Sequence, residues 1–257
     1  MIDVNVSLGS WPFRKLPAED AEALAMRLRR AGTSQAWVGS LEGLFQRDIG
    51  GANARLADAC RSVEAPRLVP FGTINLTVPD WEEDVRRCHE VHKFAGIRLH
   101  PGYHGYGLTD PGFARLLALA TQRGLIVQLA VMMEDERTQH PVFRAPAVDL
   151  RPLEAMIKAT PGLRLVLLNA FRSLTVETAA RLAQAGVVWF EIATLEGVDR
   201  VASLVEKISA ERILFGSHYP LFYLEAAALK LRETRLSARV IAQIGESNAQ
   251  RLLEPAR

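Results

Sequence analysis

Residues 96–130 read GIRLHPGYHGYGLTDPGFARLLALATQRGLIVQLA. An apolar run over 95–100 ends in a glycine-rich turn. Asp110-Pro111 then supplies a helix N-cap followed by proline at the first helical position. Residues 111–123 carry a helical pattern, and Gly124 is a helix stop. A second apolar run follows at 125–131, with Gln128 its single polar residue. Strand, loop, helix and strand in this order form one βα repeat.

The same unit recurs along the whole chain. Strand runs are predicted near 2–8, 35–40, 67–76, 95–100, 125–131, 163–169, 187–194 and 212–218. Helical patterns fill the intervals near 18–31, 51–63, 80–93, 111–123, 150–159, 175–185, 197–209 and 222–233, with a further helix near 237–254. Thr175 and Ser237 are candidate caps, and Asp80 precedes a carboxylate-rich first turn suited to the helix dipole. Gly32, Gly162 and Gly186 repeat the stop seen at Gly124. Eight strands alternating with eight helices predict an α/β protein, a single (β/α)8 TIM barrel over 1–257 with an extra C-terminal helix. The alternative, a doubly wound open sheet, rarely needs eight regular units. No GxGxxG follows a strand and no GxxxxGK[ST] occurs.

Composition narrows the partners. The 257 residues are 49% hydrophobic, enough for one large core. A net charge of +2 is too small to point to nucleic acid. No apolar run is long enough to span a bilayer, and the first residues lack the basic and apolar regions of a signal peptide. Cys60 and Cys88 form no CxxC pair, which argues against a disulfide framework or Cys-rich zinc site. A cytoplasmic protein is expected.

Polar residues interrupt the strands in a pattern. Asp3, Asn5 and Ser7 share one parity in the first strand, Thr73 and Asn75 in the third, Arg98 and His100 in the fourth. Gln128, Asn169, Glu191 and His218 follow in strands five to eight. Each set fits an inward register and lies toward its strand's C-terminal end, where barrel active sites are built. A single inward Asn or Thr is ordinarily a satisfied core group. Arg98, Glu191 and two histidines buried together would cost several kcal/mol without partners or water, in the range of about 3–5 for a broken buried pair. A polar pocket at the mouth accounts for them. The stretch from His100 to Tyr106, with His104, supplies a candidate wall of aromatic and hydrogen-bonding groups. The long connection 132–149 follows the fifth strand on the same face, and such loops are commonly functional. It is expected to act as a lid, with apolar residues gripping the rim and Arg137 or His140 contacting the ligand opposite His218.

The chain resembles the amidohydrolase superfamily of TIM-barrel metal-dependent hydrolases, in its amidohydrolase 2 branch. Ile2-Asp3-Val-Asn5-Val-Ser7-Leu-Gly9 resembles the family's Ile-Asp-x-His-x-His-x-Gly. Gly96-Ile-Arg98-Leu-His100-Pro101 resembles its fourth strand, and Asp110 through Val127 the next helix and strand. Arg212-Ile-Leu-Phe-Gly216-Ser-His218-Tyr-Pro220 resembles Arg-Ile-Leu-Phe-Gly-Ser-Asp-Tyr-Pro. Asn248-Ala249-Gln-Arg251-Leu252 resembles the family's closing Asn-Ala-x-Arg-Leu. The resemblance implies a metal bound by two first-strand histidines, a fifth-strand and a sixth-strand histidine and an eighth-strand aspartate. Those places hold Asn5, Ser7, Ala130, Asn169 and His218, which lack the donors that bind zinc tightly.

The expected function is therefore hydrolase or lyase action on a small anionic substrate, such as a lactone or carboxylic acid, with no metal and no other cofactor. The family's lactonase branch implies that this barrel can hydrolyse without a metal. His218 stands where that branch has its water-activating carboxylate and is the expected general base. Arg98, His100 and Glu191 complete the candidate catalytic set. Asn5, Gln128, Asn169, Arg137, His140, Arg172 and Tyr219 are the candidate substrate contacts, an arginine clamping a carboxylate. Two alternatives stand beside this. One is an inactive relative that binds a small molecule or partner. The other is a zinc hydrolase or decarboxylase with ligands remodelled from His100, His104, Glu191 and His218. The resemblance also implies a homodimer.

Overall fold

The computed structural model describes residues 1–254. Its elements run β1 (Ile2–Leu8), α1 (Ala21–Arg30), β2 (Gln35–Ser40), α2 (Ile49–Arg61), β3 (Arg67–Ile74), α3 (Trp81–Glu90), β4 (Gly96–Leu99), α4 (Pro101–His104), α5 (Pro111–Gln122) and β5 (Ile126–Ala130). Then follow α6 (Leu153–Ala159), β6 (Arg164–Leu168), α7 (Val176–Ala185), β7 (Val188–Glu191), α8 (Arg200–Ile208), β8 (Ile213–Leu214), α9 (Leu224–Glu233), α10 (Ala238–Ala242) and α11 (Asn248–Leu253). The eight strands are parallel and neighbour one another in chain order. β1 meets the chain leaving β8: Val4 N–H donates to Phe215 O at 3.0 Å and His218 N–H to Asn5 O at 2.8 Å. The Asp3 carboxylate accepts from Ser217 N–H across the same seam at 3.0 Å. The protein is a (β/α)8 TIM barrel with C-terminal helices added.

Both faces of the strands are covered, so their sequences are apolar on both parities. Trp37, Phe71, Ile126, Val166, Leu168 and Leu214 fill the barrel interior, with Trp37 stacked on Phe71 at 5.0 Å. Val127, Leu129, Leu165 and Leu167 face outward onto Phe113, Leu116 and Leu204 of the helices. Helix starts follow local chemistry. Asp110, Thr175 and Ser237 each accept a bond from a first-turn amide, as expected. Asp80 makes no such bond, although Glu82, Glu83 and Asp84 do lie in the first turn of α3. Gly124 adopts φ +64, a conformation costly for other residues, and lets α5 turn into β5.

Several elements are shorter than the sequence pattern. The run 187–194 ends its ladder at Glu191, because the Glu191 carboxylate takes the Ala193 N–H. The run 212–218 keeps only Ile213–Leu214 in the ladder. Phe215 N–H donates to Ile244 O at 3.1 Å, and His218 takes a left-handed φ of 60. The helix expected over 237–254 runs continuously from Ala238 to Leu253, with a π segment at Gln243–Ser247 within it. β1 also changes register between Asp3 and Val6. Ile2 and Val4 pack in the interior, whereas Val6 and Leu8 pack against α1. Asp3 therefore leaves the inward set that its parity with Asn5 and Ser7 suggests. The expected single domain runs three residues past the described part. Among the described residues no helix is long and apolar enough to cross a membrane.

Candidate active site

Two polar layers sit inside the barrel. The deeper one is built on adjacent strands, because Arg98 is in register with Thr73 on one side and Gln128 on the other. Arg98 is 1% exposed and makes no ion pair among the described residues. Its Nε donates to Gln128 Oε1 at 2.7 Å, Nη1 to Val6 O at 2.8 Å and Nη2 to Trp37 O at 3.2 Å. Gln128 in turn donates to Val4 O at 2.8 Å. A side chain at Gly39 would lie 2.7 Å from Nη1, so the arginine fits only because residue 39 has none. Burial lowers the Arg98 pKa to about 9, against the pull of Asp3 and Glu191. It remains a cation, with its donors spent on the barrel wall.

The upper layer joins four strand ends. Asn5 Nδ2 donates to Asn169 Oδ1 at 2.8 Å, and the Glu191 carboxylate accepts from the amides of Asn169 and Ala193, each at 2.5 Å. Gly216 gives Glu191 its room, since a Cβ there would stand 2.6 Å from Oε2. Burial pushes Glu191 up to about 7, with the two backbone amides opposing. His218 Nε2 lies 2.7 Å from Met133 O, which assigns its proton to Nε2. Nδ1 is left as the basic nitrogen, with the Asn169 amide 3.3 Å away. Burial, then Arg98 and Arg14, lower His218 to about 4, against its bond to Met133, so it is neutral at pH 7. His100 is likewise held well below its ordinary value by burial and by His104, Arg98 and His218. His104 Nε2 bonds Gly43 O at 2.9 Å, and its ring stands 6.0 Å from that of His100.

Asn5, Asn169, Glu191 and His218 are thus brought into one bonded cluster, with Arg98 and Gln128 beneath it and His100 beside it. Four other candidates lie elsewhere. Tyr219 is buried among Leu24, Leu28 and Val38 on the helix side, where the left-handed turn at His218 delivers it into a bridge with Val6. Arg137 points to solvent, its side chain 85% exposed, bound to Asp135 two residues away. His140 is exposed and stacks on Phe13 at 5.2 Å. Arg172 sits on the rim, paired with Asp135 and Glu196 and placed over the Phe222 ring. The contact expected from Arg137 or His140 opposite His218 is therefore absent in this arrangement.

The mouth is covered by residues that strand patterning does not single out. Trp11, Phe13, Phe45, Tyr103 and Phe143 form an aromatic cluster with centroid separations of 5.3–6.1 Å. Arg14 pairs with Glu134, whose carboxylate is 4% exposed. Trp11, Phe13 and Arg14 fall within four residues shortly after β1 on the mouth face, and that density was the available signal. Gln139 and Ala145 brace the loop with two mutual bonds.

The family model for amidohydrolases matches residues 13–254, and the chain belongs to that family. A search of curated proteins finds no match. Among solved structures it is similar to 2,6-dihydroxybenzoate decarboxylase from Rhizobium, at 14% identity and TM-score 0.71 over 98% of each chain. It is also similar to 5-carboxyvanillate decarboxylase from Sphingomonas paucimobilis, at 13% identity and TM-score 0.75 over 100% of this chain and 99% of that one. A third is dihydroxybenzoic acid decarboxylase from Polaromonas with bound manganese and the inhibitor 2-nitroresorcinol, at 14% identity and TM-score 0.72 over 98% and 96%. At these identities the likeness concerns the fold.

A metal of the kind in the Polaromonas structure does not fit the residues present. Asn5, Ser7 and Asn169 offer weak neutral donors, and Ala130 offers none. The Glu191 carboxylate is engaged by two amides, and the His218 Nε2 proton by Met133 O. No group of three His, Cys, Asp or Glu stands together in a metal-holding arrangement among the described residues.

Proposed function

We propose that the chain is an enzyme that hydrolyses or cleaves a small anionic substrate without a catalytic metal, with neutral His218 as general base. One observation carries this. The bond to Met133 O supports a proton on Nε2, which makes Nδ1 the basic nitrogen, and the Asn169 amide donates to it at 3.3 Å. Arg98 and Arg14 both disfavour a second positive charge there. A bound carboxylate offsets them and moves His218 back toward its ordinary value, so substrate binding itself makes the base stronger. Asn169 and Asn5 orient the reacting group, and Glu191 fixes the Asn169 backbone. Asn169 and His218 are each 1% exposed, so the reacting group is shielded from bulk water.

A second reading has its own observation. The His218 and Asn169 donors are already satisfied by the Met133 and Met132 carbonyls. This is what a non-catalytic, small-molecule-binding relative would show. Turnover separates the two. Purified protein, with and without chelator, is offered a panel of lactones, esters and aromatic carboxylates. Hydrolysis and carbon dioxide release are measured. On the enzyme reading, His218→Asn lowers turnover by about 10²–10⁴-fold while the melting temperature moves by only a few degrees. Turnover unchanged in His218→Asn removes it as base, and no turnover on any compound favours the binding reading.

A further inference from the structure

We propose that Arg14 is the receptor for the substrate's carboxylate, and that Glu134 is an internal anion that holds the place until substrate arrives. The inference rests on the reading of a small anionic substrate and names the residue that recognises it.

Glu134 is unusual for a carboxylate: it is almost wholly buried, yet its ion-pair partner is half-exposed, Arg14 being 42% accessible. A buried carboxylate needs that partner. Arg14, with a route to water, can accept another. Glu134 also comes from a loop rather than a strand, so it can leave without breaking the barrel ladder. Its two predecessors in the chain are the residues whose carbonyls touch the site. Met132 O accepts from Asn169 Nδ2 at 2.8 Å, and Met133 O from His218 Nε2 at 2.7 Å. Three consecutive residues therefore form one strap across Asn169, His218 and Arg14. Exchange of carboxylates at Arg14 loosens the same strap that covers His218.

The surroundings suit a flat-ringed acid. Tyr103 lies within the field of both Glu134 and Arg14. A groove of about 480 Å³, lined by Phe45, Tyr103, His104 and Phe143 among others, runs alongside the aromatic cluster. Trp11 packs on Phe45 and Tyr103, and its buried Nε1–H has no acceptor among the described residues. It is an unused donor within the same aromatic cluster. An internal anion competes with an external one as a tethered ligand at high effective concentration, so removing it must tighten binding.

Isothermal titration with benzoate, and with benzamide as the neutral counterpart, tests this without requiring turnover. Glu134→Gln and Glu134→Ala are expected to bind benzoate on the order of tenfold more tightly than the natural chain. Arg14→Met is expected to lose on the order of tenfold or more. Benzamide affinity should not follow this order. Equal benzoate affinity in the natural chain and both Glu134 variants overturns the proposal, as does Arg14→Met binding like the natural chain or a Glu134→Ala protein that binds no benzoate. Arg14→Met changes a half-exposed position, so it decides the matter even if the Glu134 variants fail to fold. A chain that exchanges carboxylates in this way but turns nothing over keeps the receptor and loses the enzymatic reading.

Discussion

Glu191 and His218 are both bonded to Asn169, yet burial moves their pKa values in opposite senses. Glu191 is pushed from an ordinary 4.5 up to about 7. Its protonated form is therefore favoured in the folded state, and the stability this brings is complete below pH 4.5 and lost as pH rises through 7. Glu191→Gln removes that loss. Its stability relative to the natural chain should improve steadily from pH 4.5 to 7 in urea titrations, and a constant difference would contradict the assignment. His218 behaves inversely. Its value is depressed from 6.5 to about 4, so stability linked to it grows as pH rises through that window and is fully present above 6.5. Because kcat/KM reports ionisations of the free enzyme, catalysis by neutral His218 in a Glu191→Gln background, which removes the group near 7, should hold steady from pH 7 down to about 5. A fall centred near 6.5 would mean that an ordinary, exposed imidazole acts instead.

At the scale of elements, the loop between β5 and α6 lies against the site, its Met132 and Met133 carbonyls bonded to Asn169 and His218. Its place at the mouth was legible in its length and position, but the direction of its side chains was not. Arg137 had a carboxylate two residues away in Asp135, and a short-range pair outcompetes a distant pocket. Glu134 found Arg14, which is 120 positions away and which no local pattern connects to it. Of the loop's apolar residues, Phe143 supplies the grip on the rim, whereas Val142 is 85% exposed. Phe143 joins Phe13, Phe45 and Tyr103, so Phe143→Ala should speed amide exchange over 132–146 and leave β4 and β6 as slow as before. Equal acceleration in the barrel strands would show that the loop and barrel unfold as one unit.

For the whole molecule, the βα count and the inward polar residues were readable because a barrel strand has a strict two-residue period. Asn5, Arg98, Gln128, Asn169, Glu191 and His218 all meet inside. The register change in β1 was not readable: Ile2, Val4, Val6 and Leu8 alternate without a break in sequence while the face they serve switches. The replaced ligand positions were readable residue by residue, and they give a property of the entire fold. Dialysis against a chelator, followed by elemental analysis, should leave both melting temperature and turnover unchanged. Loss of either, restored by zinc or manganese, would restore the remodelled-metal alternative.

The seam between β1 and the chain after β8 has a consequence for biosynthesis. Val4 finds its partner in Phe215, more than two hundred residues downstream, and Phe215 is itself completed by Ile244 of the terminal helices. During translation β1 acquires β2 early, but its other edge waits for nearly the whole polypeptide. An unpaired parallel edge rich in valine, isoleucine and leucine is sticky for all of that interval. Nascent chains halted before residue 215 should therefore engage holding chaperones at β1, and release should coincide with emergence of the segment around Ile244.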